Sequence, residues 1–273
     1  MDILNDNRII FPTALVIVTV ILSGLYTSLW GAFKDSPYEY FKPKTFPRSI
    51  WFSLAIWGFY QWFLPLFGAE VPGLSVVNLF QLFFFVMGVE RFVAELYKGF
   101  FRTEDQSKYF IPSRVTLLGK PVRSELLRRS SGILLVTLTL AVAFLPWPMH
   151  TYWQFLIVAY CTGLLVSVGG AYKDAPFEGF QPLKFQRSAV VLAVASPLFY
   201  YLGPVSLGVL IFMNGGLERF LVEYYKTYIK RNMSGKFRPD LKIYQKQKAS
   251  REKFHIAAWV IIVALGLLYA RLV

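Results

Sequence analysis

The stretch GAFKDSPYEYFKPKTFPRS, residues Gly31–Ser49, returns in a near copy, GAYKDAPFEGFQPLKFQRS, at Gly170–Ser188. Eleven of the nineteen positions are identical, and the identical positions include lysine, aspartate, glutamate and arginine. Chance does not explain so close a match between two charged segments of one chain. We therefore predict an internal duplication, with two copies of whatever structure this stretch forms.

The composition of the chain is that of a membrane protein. Of 273 residues, 55% are hydrophobic and 18% aromatic, while only 16% are charged, which is more apolar than a soluble globular chain. Eight apolar runs approach the roughly 20 residues that a helix needs to cross a bilayer. They are Ile9–Phe33, Ser49–Phe67, Leu74–Tyr97, Gly132–Trp147, Tyr152–Ala171, Ala189–Leu202, Val205–Tyr228 and Phe254–Leu272. We predict an all-α, polytopic integral membrane protein with eight transmembrane helices.

A second motif is repeated at the ends of the third and seventh predicted helices. VMGVERFVAELYKGFFR (Val86–Arg102) is echoed by MNGGLERFLVEYYKTYIKR (Met213–Arg231). Each half of the chain then has the same order of parts: a helix, the charged loop motif, two helices, a basic loop and a fourth helix. Because each unit has four spans, the two units are parallel and are related by an axis along the membrane normal. We predict two four-helix repeats, residues 1–148 and 149–273.

The basic residues are distributed unevenly between the two sides of this topology. Of the 29 lysines and arginines, 25 fall in four segments on one side, namely Lys34–Arg48, Lys98–Arg129, Lys173–Arg187 and Lys226–Lys253. Basic residues are retained on the cytoplasmic side of a membrane, so we expect these segments in the cytoplasm and both termini outside it. The net charge of +13 then predicts anionic lipid headgroups, and not nucleic acid, as its partners.

The loop motif brings charged residues to the membrane surface in both repeats. Ser36 followed by Pro37, with Glu39 three residues after Ser36, is typical of a helix N-terminus, so a short amphipathic helix is expected to begin at Ser36. In the second copy Ala175 takes the position of Ser36, which leaves Asp174 as the expected cap. A cap and a turn alone do not require all the shared charges. The candidates for binding a headgroup are Lys34, Asp35, Glu39, Arg48, Lys173, Asp174, Glu178 and Arg187.

The helix-end motif places charges near the hydrocarbon. Arg91 and Glu95 are four residues apart, as are Arg219 and Glu223, so each pair lies on one face of its helix. Such groups normally face the interior of a bundle, where they pair or line a polar cavity. Two interpretations stay open: a lock between neighbouring helices, or a lipid- or anion-binding site formed by Arg91, Glu95, Lys98, Arg219, Glu223 and Lys226. Glycines that allow close helix approach precede both copies: Gly88, Gly215 and Gly216.

The segments GVERFVAELYK and GLERFLVEYYK resemble the G-x-x-R-F-x-x-E-aromatic-x-R/K signature of the prolipoprotein diacylglyceryl transferases. GGAYKDAPFEGFQP is loosely similar to a stretch of that family that opens with Gly-Ala or Gly-Arg. The resemblance implies a bacterial inner-membrane enzyme that moves a diacylglyceryl group from phosphatidylglycerol to a lipobox cysteine. It also implies that Arg91 and Glu95, or Arg219 and Glu223, match the functional arginine and glutamate of that family.

Few residues of the chain are suited to metal or cofactor chemistry. Cys161 is the one cysteine, and His150 and His255 are the two histidines, so the sequence predicts neither a metal site nor a cofactor. Our prediction is a protein that binds an anionic phospholipid or polyprenyl-phosphate headgroup for lipid transfer or transport. The alternatives are a non-enzymatic subunit or scaffold that docks a cytoplasmic protein through its basic loops, alone or as an oligomer, a diacylglyceryl-transferase-like enzyme, and an ion or solute channel.

Overall fold

The computed structural model describes residues 13–68, 77–105, 109–111, 113–117, 120–231 and 240–272. Most of the described chain is helical. The α-helices in these ranges are α1 (Thr13–Glu39), α2 (Arg48–Gly58), α3 (Leu64–Leu66), α4 (Leu79–Leu96), α5 (Glu125–Ala143), α6 (Tyr152–Ser167), α7 (Lys173–Glu178), α8 (Pro182–Ala195), α9 (Leu207–Tyr224) and α10 (Leu241–Leu272). Two antiparallel ribbons of two-residue strands complete the structure: β1 (Thr116–Leu117) with β2 (Lys120–Pro121), and β3 (Pro148–Met149) with β4 (Val205–Ser206).

Several α-helices continue directly into a 3₁₀-helical or π-helical segment. A 3₁₀ helix, Ser196–Leu202, follows α8, and π-helical turns are Phe59–Phe63, Tyr97–Phe101, Val168–Tyr172 and Tyr225–Ile229. The second and fourth of these π-helical turns are equivalent in the two repeats, because both follow the E-R-F-x-x-E motif. π-helical turns occur frequently at functional sites, and here the repeated distortion lies beside the repeated charges.

Side-chain caps set the first residues of α4 and α6. Asn78 Oδ1 accepts from the amide of Gln81 at 2.8 Å, and Gln81 Oε1 accepts from the amide of Asn78 at 3.0 Å. Thr151 and Gln154 form the same reciprocal arrangement at the start of α6. Each box satisfies amides that a helix N-terminus otherwise leaves unpaired. The fifth predicted helix therefore begins at Tyr152, as expected from the sequence.

The prediction that a helix begins at Ser36 is wrong. α1 runs without a break through Ser36 to Glu39, and in the second repeat α6, its π-helical turn and α7 follow one another to residue 178, so Asp174 does not cap a new helix. Both helices end at equivalent residues with positive φ, Tyr40 at 64° and Gly179 at 79°. The local cap signal was overridden because α1 packs against both α2 and α4.

The two repeats pack around a central pair of helices, α4 and α9. α1 and α2 pack on each other and on α4, and α6 and α8 pack on each other and on α9. The fourth helix of each repeat reaches the other half: α5 contacts α9 as well as the π-helical turn Tyr97–Phe101 of its own repeat, and α10 contacts α4 and α1. The halves are therefore repeats in sequence but are interlocked in space.

The chain has the helices of an integral membrane protein. Within the described residues, three are long and apolar enough to cross a membrane, Thr13–Asp35, Glu125–Ala143 and Tyr152–Glu178, and Ile256–Leu268 is a shorter apolar helix. α4 and α9 are apolar, but each carries three charged residues. The all-α class is confirmed, and the three helices coincide with the first, fourth and fifth predicted spans. Residues 1–12 and 273, which hold the ends whose location was predicted, lie outside the described residues.

Candidate functional site

α4 and α9 meet backbone to backbone at two equivalent glycines. A β-carbon placed on Gly88 would lie 1.8 Å from the carbonyl oxygen of Phe212, and one placed on Gly216 would lie 2.1 Å from that of Phe84. Neither position has room for a side chain. A β-carbon on Gly215 would be 3.8 Å from Cα of Gly88, which is an ordinary contact. The predicted close approach at Gly88 and Gly216 is confirmed, and it brings the two charged motifs within reach of each other.

Beyond these glycines, the arginine of each motif pairs with the glutamate of the opposite repeat. Nη1 of Arg91 donates to Glu218 and, at 3.3 Å, to the carbonyl oxygen of Gly215. Nη1 of Arg219 donates to Oε2 of Glu90 at 2.8 Å. The side chains of Glu218 and Glu90 are only 2% and 6% exposed. Two buried, charge-assisted pairs, which we call the crossed pairs, therefore join the repeats.

Each of these two carboxylates also accepts a hydrogen bond from a serine of the same repeat. Ser49 Oγ donates to Oε1 of Glu90 at 2.8 Å, and Ser188 Oγ donates to Oε1 of Glu218 at 2.6 Å. Both serines are the last residue of the repeated loop motif. The loop motif and the helix-end motif are thus two parts of one arrangement. The signal for all four residues was available in the sequence, because each of them is identical in the two copies.

The crossed pairs correct the pairing that helical spacing alone suggests. Spacing places Arg91 beside Glu95 and Arg219 beside Glu223, whereas the structure bonds the arginines to the neighbouring helix. The glycine contact brings α9 so close to α4 that the carboxylate of the opposite helix is within bonding distance. This gives the arginines the locking role that the sequence left open.

Glu95 pairs with Lys98 of its own helix end and interacts electrostatically with a lysine from the loop motif of the other repeat. Its Oε1 lies 3.0 Å from Nζ of Lys98, and its charge also interacts with that of Lys173. Nζ of Lys173 lies 3.3 Å from Oδ1 of Asp174. We call these four residues, Glu95, Lys98, Lys173 and Asp174, the α7 cluster.

The equivalent residues of the other half form the α1 cluster: Lys34, Asp35, Glu223 and Lys226. The charge of Glu223 interacts with those of Lys226 and Lys34, and Lys34 also interacts with Asp35. Trp30, which is 2% exposed, lies next to Glu223. Both clusters therefore combine a carboxylate from one repeat with a lysine from the other.

A groove of about 410 Å³ opens at the start of α8. Its lining residues are Phe180, Gln181, Pro182, Leu183, Lys184, Arg187, Tyr225 and Lys230. Cζ of Arg187 lies 5.8 Å, and Nζ of Lys230 lies 6.0 Å, from the centre of the Tyr225 ring, which are cation–π distances. Nε of Arg187 is buried and has no hydrogen-bond partner among the described residues. Lys184 is paired with Glu178, so Arg187 and Lys230 supply the excess positive charge.

The first repeat is built differently at the same place. Arg102 takes the position of Lys230, but its Nε donates to Oε2 of Glu104 at 2.9 Å, and its Nη2 donates to the hydroxyl of Tyr109 at 3.3 Å. A carboxylate therefore already neutralises the cation of this repeat. Sequence reasoning found Arg187 but missed Lys184 and Lys230, which lie outside the residues shared by the two motifs.

The remaining predicted residues are Arg48, Glu178 and Glu39. Arg48 is the first residue of α2 and Glu178 is the last residue of α7, while the side chain of Glu39 lies outside the described part. Within the described ranges, no group of three or more histidine, cysteine, aspartate or glutamate side chains is placed to hold a metal ion. The chemistry that the site offers is the binding of charged groups by arginine, lysine and carboxylate side chains. Comparison of the chain with protein-family models, with curated proteins and with solved structures finds no match.

Proposed function

We propose that this chain is an integral membrane protein that holds the phosphate of an anionic lipid, or of a polyprenyl phosphate, in the groove at the start of α8. The observation that carries the proposal is Arg187, which lines the groove and whose buried Nε has no hydrogen-bond partner among the described residues. A guanidinium offers a planar set of donors that suits phosphate oxygens. Lys230 adds a second positive charge, and the aromatic rings of Phe180 and Tyr225 suit an interfacial position.

We also propose that all eight predicted helices cross the membrane and that the groove lies at its cytoplasmic surface. The crossed pairs support this proposal, because they turn the charges of Glu90, Arg91, Glu218 and Arg219, in the second half of α4 and α9, toward each other and away from lipid. Charged residues inside a membrane normally face the bundle interior and pair in this way. Helices with several charges therefore remain compatible with a bilayer.

The orientation has its own test in a background that carries Cys161→Ala. A cysteine at Thr103, which is exposed after α4, is expected to be shielded from an impermeant thiol reagent in intact bacterial cells. A cysteine at His150, which is exposed before α6, is expected to react. The reason is that basic loops remain in the cytoplasm. Labelling at Thr103 in sealed cells would overturn the orientation and place the groove at the outer surface.

The groove itself is tested by Arg187→Gln. Hydrogen bonds to charged groups contribute about 1.5–3 kcal/mol, so the Kd for phosphatidylglycerol is expected to rise at least about tenfold. The measurement is titration of the lipid into detergent-purified protein by native mass spectrometry, with phosphatidylcholine as the uncharged reference. The matched control is Arg48→Gln, the equivalent residue of the first repeat, which is expected to leave the Kd unchanged. An equal effect of both variants, or an effect of neither, contradicts the assignment.

A further inference from the structure

The α1 and α7 clusters occupy equivalent places but differ in what covers them. Trp30 is almost completely buried beside Glu223 in the α1 cluster. In the second repeat the equivalent residue is Gly169, and a β-carbon placed there would meet nothing within 4 Å. The second repeat therefore has no side chain where the first has an indole, and a side chain that began at Gly169 would meet no atom at its β-carbon.

The helix faces that lead to the two clusters differ in the same way. Tyr26 on α1 is 4% exposed, whereas Leu165, its equivalent on α6, is 67% exposed. α10 packs along α1 and α4, and the ring of its Trp259 lies 4.9 Å from that of Phe220. Val168, in the π-helical turn that follows α6, is also exposed, at 49%. Leu165 and Val168 thus form an exposed apolar strip that directly precedes Lys173 of the α7 cluster in the chain.

The loop between α4 and α5 is hydrogen-bonded to both segments that carry the α7 cluster. Thr116 Oγ1 donates to the carbonyl oxygen of Lys173 at 3.3 Å, and the amide of Val115 donates to that of Gly99 at 3.2 Å. These bonds place the loop against the residues next to Lys98 and against Lys173 itself. Val115 and Thr116 therefore lie against one side of the cluster.

The charges of the α7 cluster are balanced, in contrast to the groove. Glu95 and Asp174 supply two carboxylates, and Lys98 and Lys173 supply two ammonium groups. Glu95 is 55% exposed and Lys98 is 37% exposed, so both remain accessible to a ligand. A ligand that carries one positive and one negative group next to an apolar tail matches this set.

We propose that the α7 cluster is a second lipid site, which binds the headgroup of a zwitterionic phospholipid with a primary amine. The ammonium pairs with Glu95 and Asp174, the phosphate pairs with Lys98 and Lys173, and one acyl chain lies along Leu165 and Val168. A primary ammonium donates hydrogen bonds to carboxylates, whereas a quaternary ammonium favours an aromatic cage. The first repeat has an aromatic residue at this position, Trp30, whereas the second repeat has Gly169.

The test uses phosphatidylethanolamine and phosphatidylglycerol, each titrated into the purified full-length protein by native mass spectrometry. Gly169→Trp restores the bulk found in the first repeat and is expected to raise the Kd for phosphatidylethanolamine at least about tenfold, the equivalent of losing one charge-assisted contact. Binding of phosphatidylglycerol to the groove is expected to stay unchanged. Gly31→Trp is the control, because it adds the same bulk in the first repeat, where a β-carbon also meets nothing within 4 Å.

Glu95→Gln is a second variant that does not depend on how the protein accepts a new tryptophan. It keeps the size of an exposed side chain and is expected to weaken phosphatidylethanolamine binding and to leave phosphatidylglycerol binding unchanged. A Kd for phosphatidylethanolamine that neither variant raises would overturn the second site. Equal weakening of both lipids would also overturn it, because that result indicates general adhesion of lipid. Failure of the groove is seen separately, as phosphatidylglycerol binding that is insensitive to Arg187→Gln.

Discussion

Replacing Gly88 with alanine is expected to abolish the folded protein, whereas Gly215→Ala is expected to leave it intact. The added methyl group at Gly88 would fall on the carbonyl group of Phe212, at 1.8 Å. Backbone cannot move aside as a flexible side chain does, so the cost exceeds the roughly 1–3 kcal/mol of ordinary overpacking. The measurement is the yield of monodisperse protein and its melting temperature in detergent.

Gly216→Ala provides an independent repetition of this experiment on the opposite helix. Its methyl group would meet the carbonyl group of Phe84, so it is expected to behave as Gly88→Ala does. The control, Gly215→Ala, changes the same helix by the same amount at the adjacent residue. Melting temperatures within a few degrees for all three variants would show that α4 and α9 are not held in backbone contact.

Removing Glu218 is expected to destabilise the fold strongly. Glu218→Leu leaves the guanidinium of Arg91, which is 27% exposed, without its buried partner, so the cost is expected to approach the lower end of the roughly 3–5 kcal/mol that breaking a fully buried pair costs. The double variant with Arg91→Met is expected to be considerably more stable than the sum of the single effects predicts. The measurement is a double-mutant cycle on the free energy of unfolding in mixed micelles.

The same cycle on Arg91 and Glu95 is the control for this prediction. These residues have the helical spacing of an ion pair, but the Glu95 side chain is 55% exposed, and exposed pairs contribute about 0.2–1 kcal/mol. Coupling between Arg91 and Glu218 is therefore expected to be the larger of the two. Stronger coupling of Arg91 to Glu95 would show that the pairing is local and that the crossed pairs do not stabilise the fold.

Features that depend on residues close together in the sequence were predictable from it. The helices, the duplication and the close approach at Gly88 and Gly216 follow from apolar runs, repeated letters and small residues. The ends of the helices were less accurate: the fourth span was placed at Gly132–Trp147, whereas α5 begins at Glu125. Ser124 caps α5 by accepting from the amide of Leu127, and the charged first turns of a helix are not visible to a search for apolar residues.

Features that depend on how helices cross were not predictable. Glu90 and Glu218 lie on a different helical face from the Arg–Glu pairs that spacing suggests, so their partners became visible only when α4 and α9 were seen together. The groove has the same origin, because Arg187 comes from α8 and Lys230 follows α9. The replacement of Trp30 by Gly169 was present in the sequence, but its meaning depends on which side chain the indole covers.

The crossed pairs also govern the order in which the protein can be assembled. The ribosome delivers α4 long before α9, so Arg91 and Glu90 lack their charged partners until the second half of the chain has been synthesised. A first half made alone could neutralise these charges only by meeting another copy of itself, with Glu90 of each copy against Arg91 of the other, in a twofold arrangement. In the duplicated chain, both halves of that twofold contact are supplied by one molecule, so the charges are paired at any protein concentration.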